Sequence, residues 1–240
     1  MGRLTRLVAT IGLVGAVVVV GALPTPATET VSTVPPNPVY IAGRSSPRVL
    51  VIGDSISATL EQKQNYAFLN DLKGWGTEVR ATGTYTVVTH KKHWSFIYAY
   101  AEPAVRAVFV PLGTNDMTDV DTEAERGAVW SAIDDAVRTM ASECVVWLGL
   151  NSYTSDAGRL YTNSQASTFN YYIWKNSREQ GGKFSNLHYA DYNALVRGNS
   201  SVRAALAADY FKVHFAGSSA PAARTALAEF EANQVDRYCL

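Results

Sequence analysis

Ser55, His214 and Asn115 have the side-chain chemistry of a nucleophile, a base and a donor to developing negative charge. Ser55 closes "RVLVIGDS", where the apolar run Val49–Ile52 ends on Gly53 and the chain then turns helical. A serine at that junction is either a helix N-cap or a nucleophile. As a nucleophile it needs a base and a site that stabilises an oxyanion, because a serine hydroxyl is weakly reactive on its own. Asn115, in "GTND", has an amide NH₂ that can donate to such a charge beside the backbone N–H groups of Ser55 and of Gly83 in "RATGTYT". The plainer alternatives are an Asx turn at Asn115 and a strand-ending turn at Gly83. Of the four histidines, His214 in "DYFKVHFAGSS" is the best-placed base. His188 lies within "NLHYAD" and reads as a core or sheet-face residue. His90 and His93, in "HKKH", have a spacing that puts two imidazoles on one helical face, but no acidic third ligand is evident nearby, so no metal is expected.

Apolar runs alternate with longer amphipathic segments from Arg48 onward. Strands are expected over Arg48–Ile52, Thr77–Thr82, Ala104–Leu112, Cys144–Leu150 and Asn186–Asp191. Helices are expected over Ala58–Lys73, Thr122–Ser142 and Gln165–Gln180, with a weaker one at His93–Tyr100. A last helix is expected over Ser219–Val235, capped by Ser218 or Ser219 and carrying Pro221 in its first turn. Alternation of this kind predicts an α/β protein, a three-layer α/β/α sandwich around a five-stranded parallel sheet of order 2-1-3-4-5. Ligands bind beyond the C-terminal ends of such strands, at the point where the order reverses. Gly53-Asp54-Ser55 follows the first strand and Gly113-Thr114-Asn115-Asp116 the third, and these strands are neighbours in that order. The connection carrying His214 returns to the same end.

The chain is 240 residues long and 47% hydrophobic, enough for one sizeable core. Residues 1–27 hold Arg3 and Arg6 and no acid, so the remainder carries 19 basic and 21 acidic residues. That balance gives no basic footprint for nucleic acid. The 17-residue uncharged run Leu7–Leu23, preceded by arginines and followed by small residues and turn formers, reads as a secretory signal peptide over 1–27. The competing reading is an uncleaved anchor that keeps the chain at the membrane or cell envelope. Both place the rest of the chain outside the cytoplasm. Residues 28–47 are rich in Pro, Ser and Thr and read as a linker, leaving 48–240 as the domain. In an exported chain the two cysteines are expected to pair. Cys144 starts the fourth strand at the end opposite Ser55, and the last helix brings Cys239 back to that end.

"VLVIGDSISATL", Gly83, "VPLGTNDM" and the late "D…VHF…G" segment resemble, in order, the four blocks of the SGNH/GDSL hydrolase family. The resemblance runs from Arg48 to about Leu227. It implies a flavodoxin-like domain and a serine esterase or acyltransferase without metal or other cofactor. Ser55 would be the nucleophile and His214 the base, with Ser55 N–H, Gly83 N–H and the Asn115 side chain forming the oxyanion hole. One position departs from the pattern: the family usually has Asp three residues before the histidine, and here that residue is Phe211. The nearest acid is Asp209. Either Tyr210-Phe211-Lys212 bulges outward and leaves Asp209 near His214, or a backbone carbonyl near Phe211 orients the imidazole.

The expected function is therefore hydrolysis of an oxygen ester, on a small-molecule, glycan or lipid acyl ester, through an acyl-serine. Two alternatives use the same fold. One is an O-acyltransferase or deacetylase acting on cell-envelope glycans, and the other is a non-catalytic glycan- or lipid-binding module.

Overall fold

The protein is described from a computed structural model, which defines residues 39–40, 48–62, 76–81, 83, 85–90, 105–141 and 143–240. The expected signal peptide, most of the expected linker and the helix expected at His93–Tyr100 lie outside the described residues.

Five parallel strands form the sheet: β2 (Arg48–Gly53), β3 (Gly76–Ala81), β4 (Val105–Val110), β5 (Cys144–Leu148) and β6 (Leu187–Ala190). Their order is β3-β2-β4-β5-β6, the predicted 2-1-3-4-5 arrangement. A two-residue strand, β1 (Val39–Tyr40), pairs antiparallel with β3 at the edge, so part of the Pro-rich stretch joins the sheet.

Strand side chains alternate between two apolar layers, as the period of two requires. Leu50, Ile52, Val108, Val110, Val145 and Trp147 face one layer, against α3 (Glu123–Thr139) and α4 (Asn163–Asn176). Val49, Val51, Ala107, Phe109, Val146 and Leu148 face the other. That second layer is closed by α1 (Ser55–Gln62), α5 (Tyr192–Gly198), α6 (Ser200–Ala208) and α7 (Ala220–Cys239). Burial on both faces is why these strands read as continuous apolar runs rather than alternating ones.

Local chemistry sets the helix starts. Thr122 and Thr162 each make a reciprocal capping box, with Glu125 and Gln165 respectively. α4 ends at Asn176, short of the expected Gln180, and Arg178–Gln180 continue as a 3₁₀ turn. α1 starts at Ser55 rather than Ala58. At α7, Ser219 occupies the N-cap position without a side-chain capping bond, and Pro221 sits in the first turn as expected.

The Cys144–Cys239 disulfide joins the start of β5 to the end of α7, with Cα atoms 5.6 Å apart at a sequence separation of 95. In the chain-entropy picture, closing so long a loop restricts the unfolded chain by roughly 4 to 5 kcal/mol.

Candidate active site

Gly53 ends β2 where α1 approaches closely. A Cβ there would lie 2.1 Å from Ser57 Oγ and 3.1 Å from Pro111 Cγ. Close packing therefore demands the glycine, since Gly53 is not among the residues with positive φ. Asp54 follows as the cap of α1: its Oδ1 accepts from Ile56 N–H at 2.9 Å and its backbone O accepts from Ala58 N–H at 3.0 Å. With the cap supplied by Asp54, the Ser55 hydroxyl is left to face His214, and Oγ lies 2.7 Å from Nε2.

His214 lies between α6 and α7, on a loop closed by Asp209. One carboxylate oxygen, Oδ2, accepts from Val213 N–H at 3.0 Å and from His214 N–H at 3.1 Å. The same oxygen is 3.7 Å from His214 Nδ1, within ion-pair range but beyond hydrogen-bond length. Between these anchors the chain bulges outward. Lys212 takes φ 54°, Tyr210 is 83% exposed and Phe211 is 42% exposed, the two rings meeting edge to face at 4.9 Å. The bulge rests against the β5–α4 loop, where a Cβ at Gly158 would meet Tyr210 O at 3.8 Å. Arg159 braces that loop by donating to the backbone oxygens of Asn151, Thr154 and Ser155.

Asn115 follows β4 through Gly113, whose φ of 130° and contact with the Phe169 ring both exclude a side chain. Asn115 Nδ2 donates to Tyr85 O at 2.9 Å and leans toward Gly83 O at 3.5 Å. Thus Ser55 and His214 are in contact, and Asn115 is joined to the segment that carries Gly83. At Gly83 a Cβ would meet no atom of the described residues beyond its chain neighbours within 4 Å.

His188 is buried, pairs through Nδ1 with Glu179 and stacks on Tyr238. It belongs to the opposite flank of the sheet and not to this site. His90 ends the short helix α2 (Val87–His90); its side chain, and all of His93, lie outside what the structure describes. Among the described residues no group of three or more potential metal ligands occurs.

Two acids beside these residues had no assigned role in the sequence. Asp54 is fully buried, and its Oδ2 has no hydrogen-bond partner among the described residues. Burial pushes its carboxyl up to about 7, the Ile56 N–H opposes this, and the charge of Asp116 adds to it. Burial likewise pushes Asp116 up to about 6, although the N–H groups of Val87 and Val88 pull it down. The folded chain thus holds these protons more tightly than the unfolded chain does, so the contribution of these two acids to stability falls as pH rises from near 3.8 to about 7. Asp54→Asn is expected to remove a share of that slope on the order of 4 kcal/mol. Unfolding free energies measured across this range should show wild type losing ground to the variant as pH rises; parallel curves would contradict the assignment.

No protein-family model matches the chain, and no curated protein is a significant match to it. Solved structures do match. A lipase/acylhydrolase from Enterococcus faecalis is 14% identical, with 80% of this chain and 97% of that one covered, at a TM-score of 0.58. An acetyl-xylooligosaccharide esterase from Geobacillus is 14% identical, over 80% of this chain and 95% of that one, at 0.57. TesA is 18% identical, over 79% and 98%, at 0.55. The chain has the SGNH/GDSL hydrolase fold.

Proposed function

We propose that this chain is an exported serine esterase that cleaves an oxygen ester through an acyl-serine. The observation that carries the proposal is the 2.7 Å contact between Ser55 Oγ and His214 Nε2 at the C-terminal end of a parallel sheet. Support for export comes from the N-terminal sequence, where Arg3 and Arg6 precede the uncharged run Leu7–Leu23.

In this mechanism His214 Nε2 takes the Ser55 proton as Oγ attacks the ester carbonyl carbon. The carbonyl oxygen becomes an oxyanion that accepts from Ser55 N–H, Gly83 N–H and the Asn115 amide. One Asn115 N–H stays on Tyr85 O as an anchor, and the other, only weakly engaged by Gly83 O, turns to the oxyanion. Collapse breaks the bond to the alcohol oxygen, which leaves with the proton held on Nε2. Water then gives a proton to Nε2, attacks the acyl carbon and releases the acid, restoring Ser55. If a glycan hydroxyl replaces water in the second half, the same groups transfer the acyl chain. Asp209, bonded to the loop amides at both Val213 and His214, orients the imidazole and offsets its positive charge. Tyr210 and Phe211, exposed on the bulge that leads into His214, supply an aromatic surface for the substrate.

The test is turnover of p-nitrophenyl esters from acetyl to long acyl chains, with and without oligosaccharide acceptors, with Ser55→Ala as control. Turnover that is lost in the control supports the proposal, and acylated sugar in place of free acid assigns the transferase form. A wild-type chain that turns over no ester under any of these conditions would defeat it and favour the binding-module reading.

A further inference from the structure

We infer that Asp116 is a positioning residue for the oxyanion hole, acting by clamping residues 85–88, just beyond Gly83, against the loop that carries Asn115. This rests on the proposed ester chemistry at Ser55. Asp116 Oδ2 accepts from Val87 N–H at 2.8 Å and Oδ1 accepts from Val88 N–H at 3.1 Å. The adjacent residue works on the same segment with opposite polarity, since Asn115 Nδ2 donates to Tyr85 O at 2.9 Å. Two neighbouring side chains on the β4 loop therefore grip a segment nearly thirty residues away in sequence, one by a carbonyl and the other by two amides. Asp116 is itself 7% exposed, and Val87, which it holds, is fully buried in the core layer that contains Met117.

The geometry gives the clamp a catalytic consequence. Gly83 lies on an exposed turn, and a Cβ there would meet none of the described residues beyond its chain neighbours within 4 Å. Bonds from Asn115 and Asp116 tie Gly83 and the segment just beyond it to the β4 loop. An oxyanion hole depends on donors fixed before charge develops, and a displacement of about 1 Å can cost roughly 10²-fold in rate. A carboxylate suits this task better than an amide. Both its oxygens accept, whereas an asparagine would turn an NH₂ group toward one of the two backbone N–H groups.

The test compares Asp116→Asn, which keeps the side-chain shape, with Asp116→Ala, using p-nitrophenyl acetate. Expected kcat falls by about 10-fold in the first and about 100-fold in the second, with KM nearly unchanged, and amide exchange quickens at Val87 and Val88. In an Asn115→Ala background the same substitutions should cost much less, because both residues act through one segment. An unchanged kcat, an effect confined to KM, or costs that multiply fully with Asn115→Ala would each overturn the inference. So would unprotected Val87 and Val88 amides in the wild type, a measurement that needs no variant to fold. Ser55→Ala run in parallel separates the two levels. Turnover that survives it defeats the nucleophile assignment, whereas an inactive Ser55→Ala beside a fully active Asp116→Asn defeats only the clamp.

Discussion

Ser55→Ala and His214→Ala are each expected to lower kcat for ester hydrolysis by roughly 10⁶-fold, with the fold intact. The contact between Oγ and Nε2 makes the two side chains one device: without the base the hydroxyl is a poor nucleophile, and without the hydroxyl the base has nothing to activate. Removing both should therefore be little worse than removing either. Neither side chain holds the core. Ser55 and His214 are both partly exposed, α1 is capped by Asp54, and the His214 loop is closed by Asp209. Substrate binding should survive, so KM, where measurable, changes little. Purified Ser55→Ala protein that retains substantial kcat would remove the mechanism.

Asp209→Asn is expected to lower kcat by roughly 10²- to 10⁴-fold. The substitution keeps an oxygen for the Val213 and His214 amides, so the bulged loop can still close. What it removes is the negative charge 3.7 Å from Nδ1, which favours the imidazolium formed as Ser55 attacks. An amide in that place can also present a donor toward Nδ1 and favour the wrong tautomer. Asp209→Ala removes the loop closure as well, and should cost at least as much while loosening the segment that carries Tyr210 and Phe211. Retention of most of the wild-type kcat by Asp209→Asn would mean that the site is a Ser55–His214 dyad, with Asp209 serving the loop alone.

Much of this arrangement is legible in the sequence because it follows from sheet topology. Once Val49–Ile52 and the apolar stretch before "GTND" are read as neighbouring parallel strands, Ser55 and Asn115 must emerge at one end. The loop holding His214 joins them there, although 159 residues separate His214 from Ser55. The serine's two readings could not be separated from the local sequence. In the structure Asp54 takes the cap and leaves Ser55 free.

Other parts leave weaker traces. Helices α5 and α6 have 7 and 9 residues and meet at Gly198-Asn199, so neither apolar face runs long enough to show a helical period. Their caps, Asp191 and Asn199, are readable only once the helices are known. Strand β1 has two residues inside a Pro-rich stretch, with nothing to set it apart from a linker. The Asp116 clamp is silent for a different reason. Its partners are backbone amides, and every residue but proline carries one, so no residue type marks the contact. Only the acid itself was visible, placed directly after Asn115. The bulge that reunites Asp209 with His214 could be posed as one of two arrangements, but choosing it required the φ of Lys212 and the amide bonds to Asp209.

The most direct test of the central claim is covalent capture of the nucleophile. Wild-type protein is incubated with a fluorophosphonate, which phosphonylates an activated serine and expels fluoride, and is then read by intact mass and peptide mapping. One adduct per chain is expected, on the peptide containing Ser55, with loss of activity in step with labelling. Labelling should be absent in Ser55→Ala and strongly slowed in His214→Ala. Full ester turnover by unlabelled protein, or stoichiometric inactivation through a residue other than Ser55, would contradict the account.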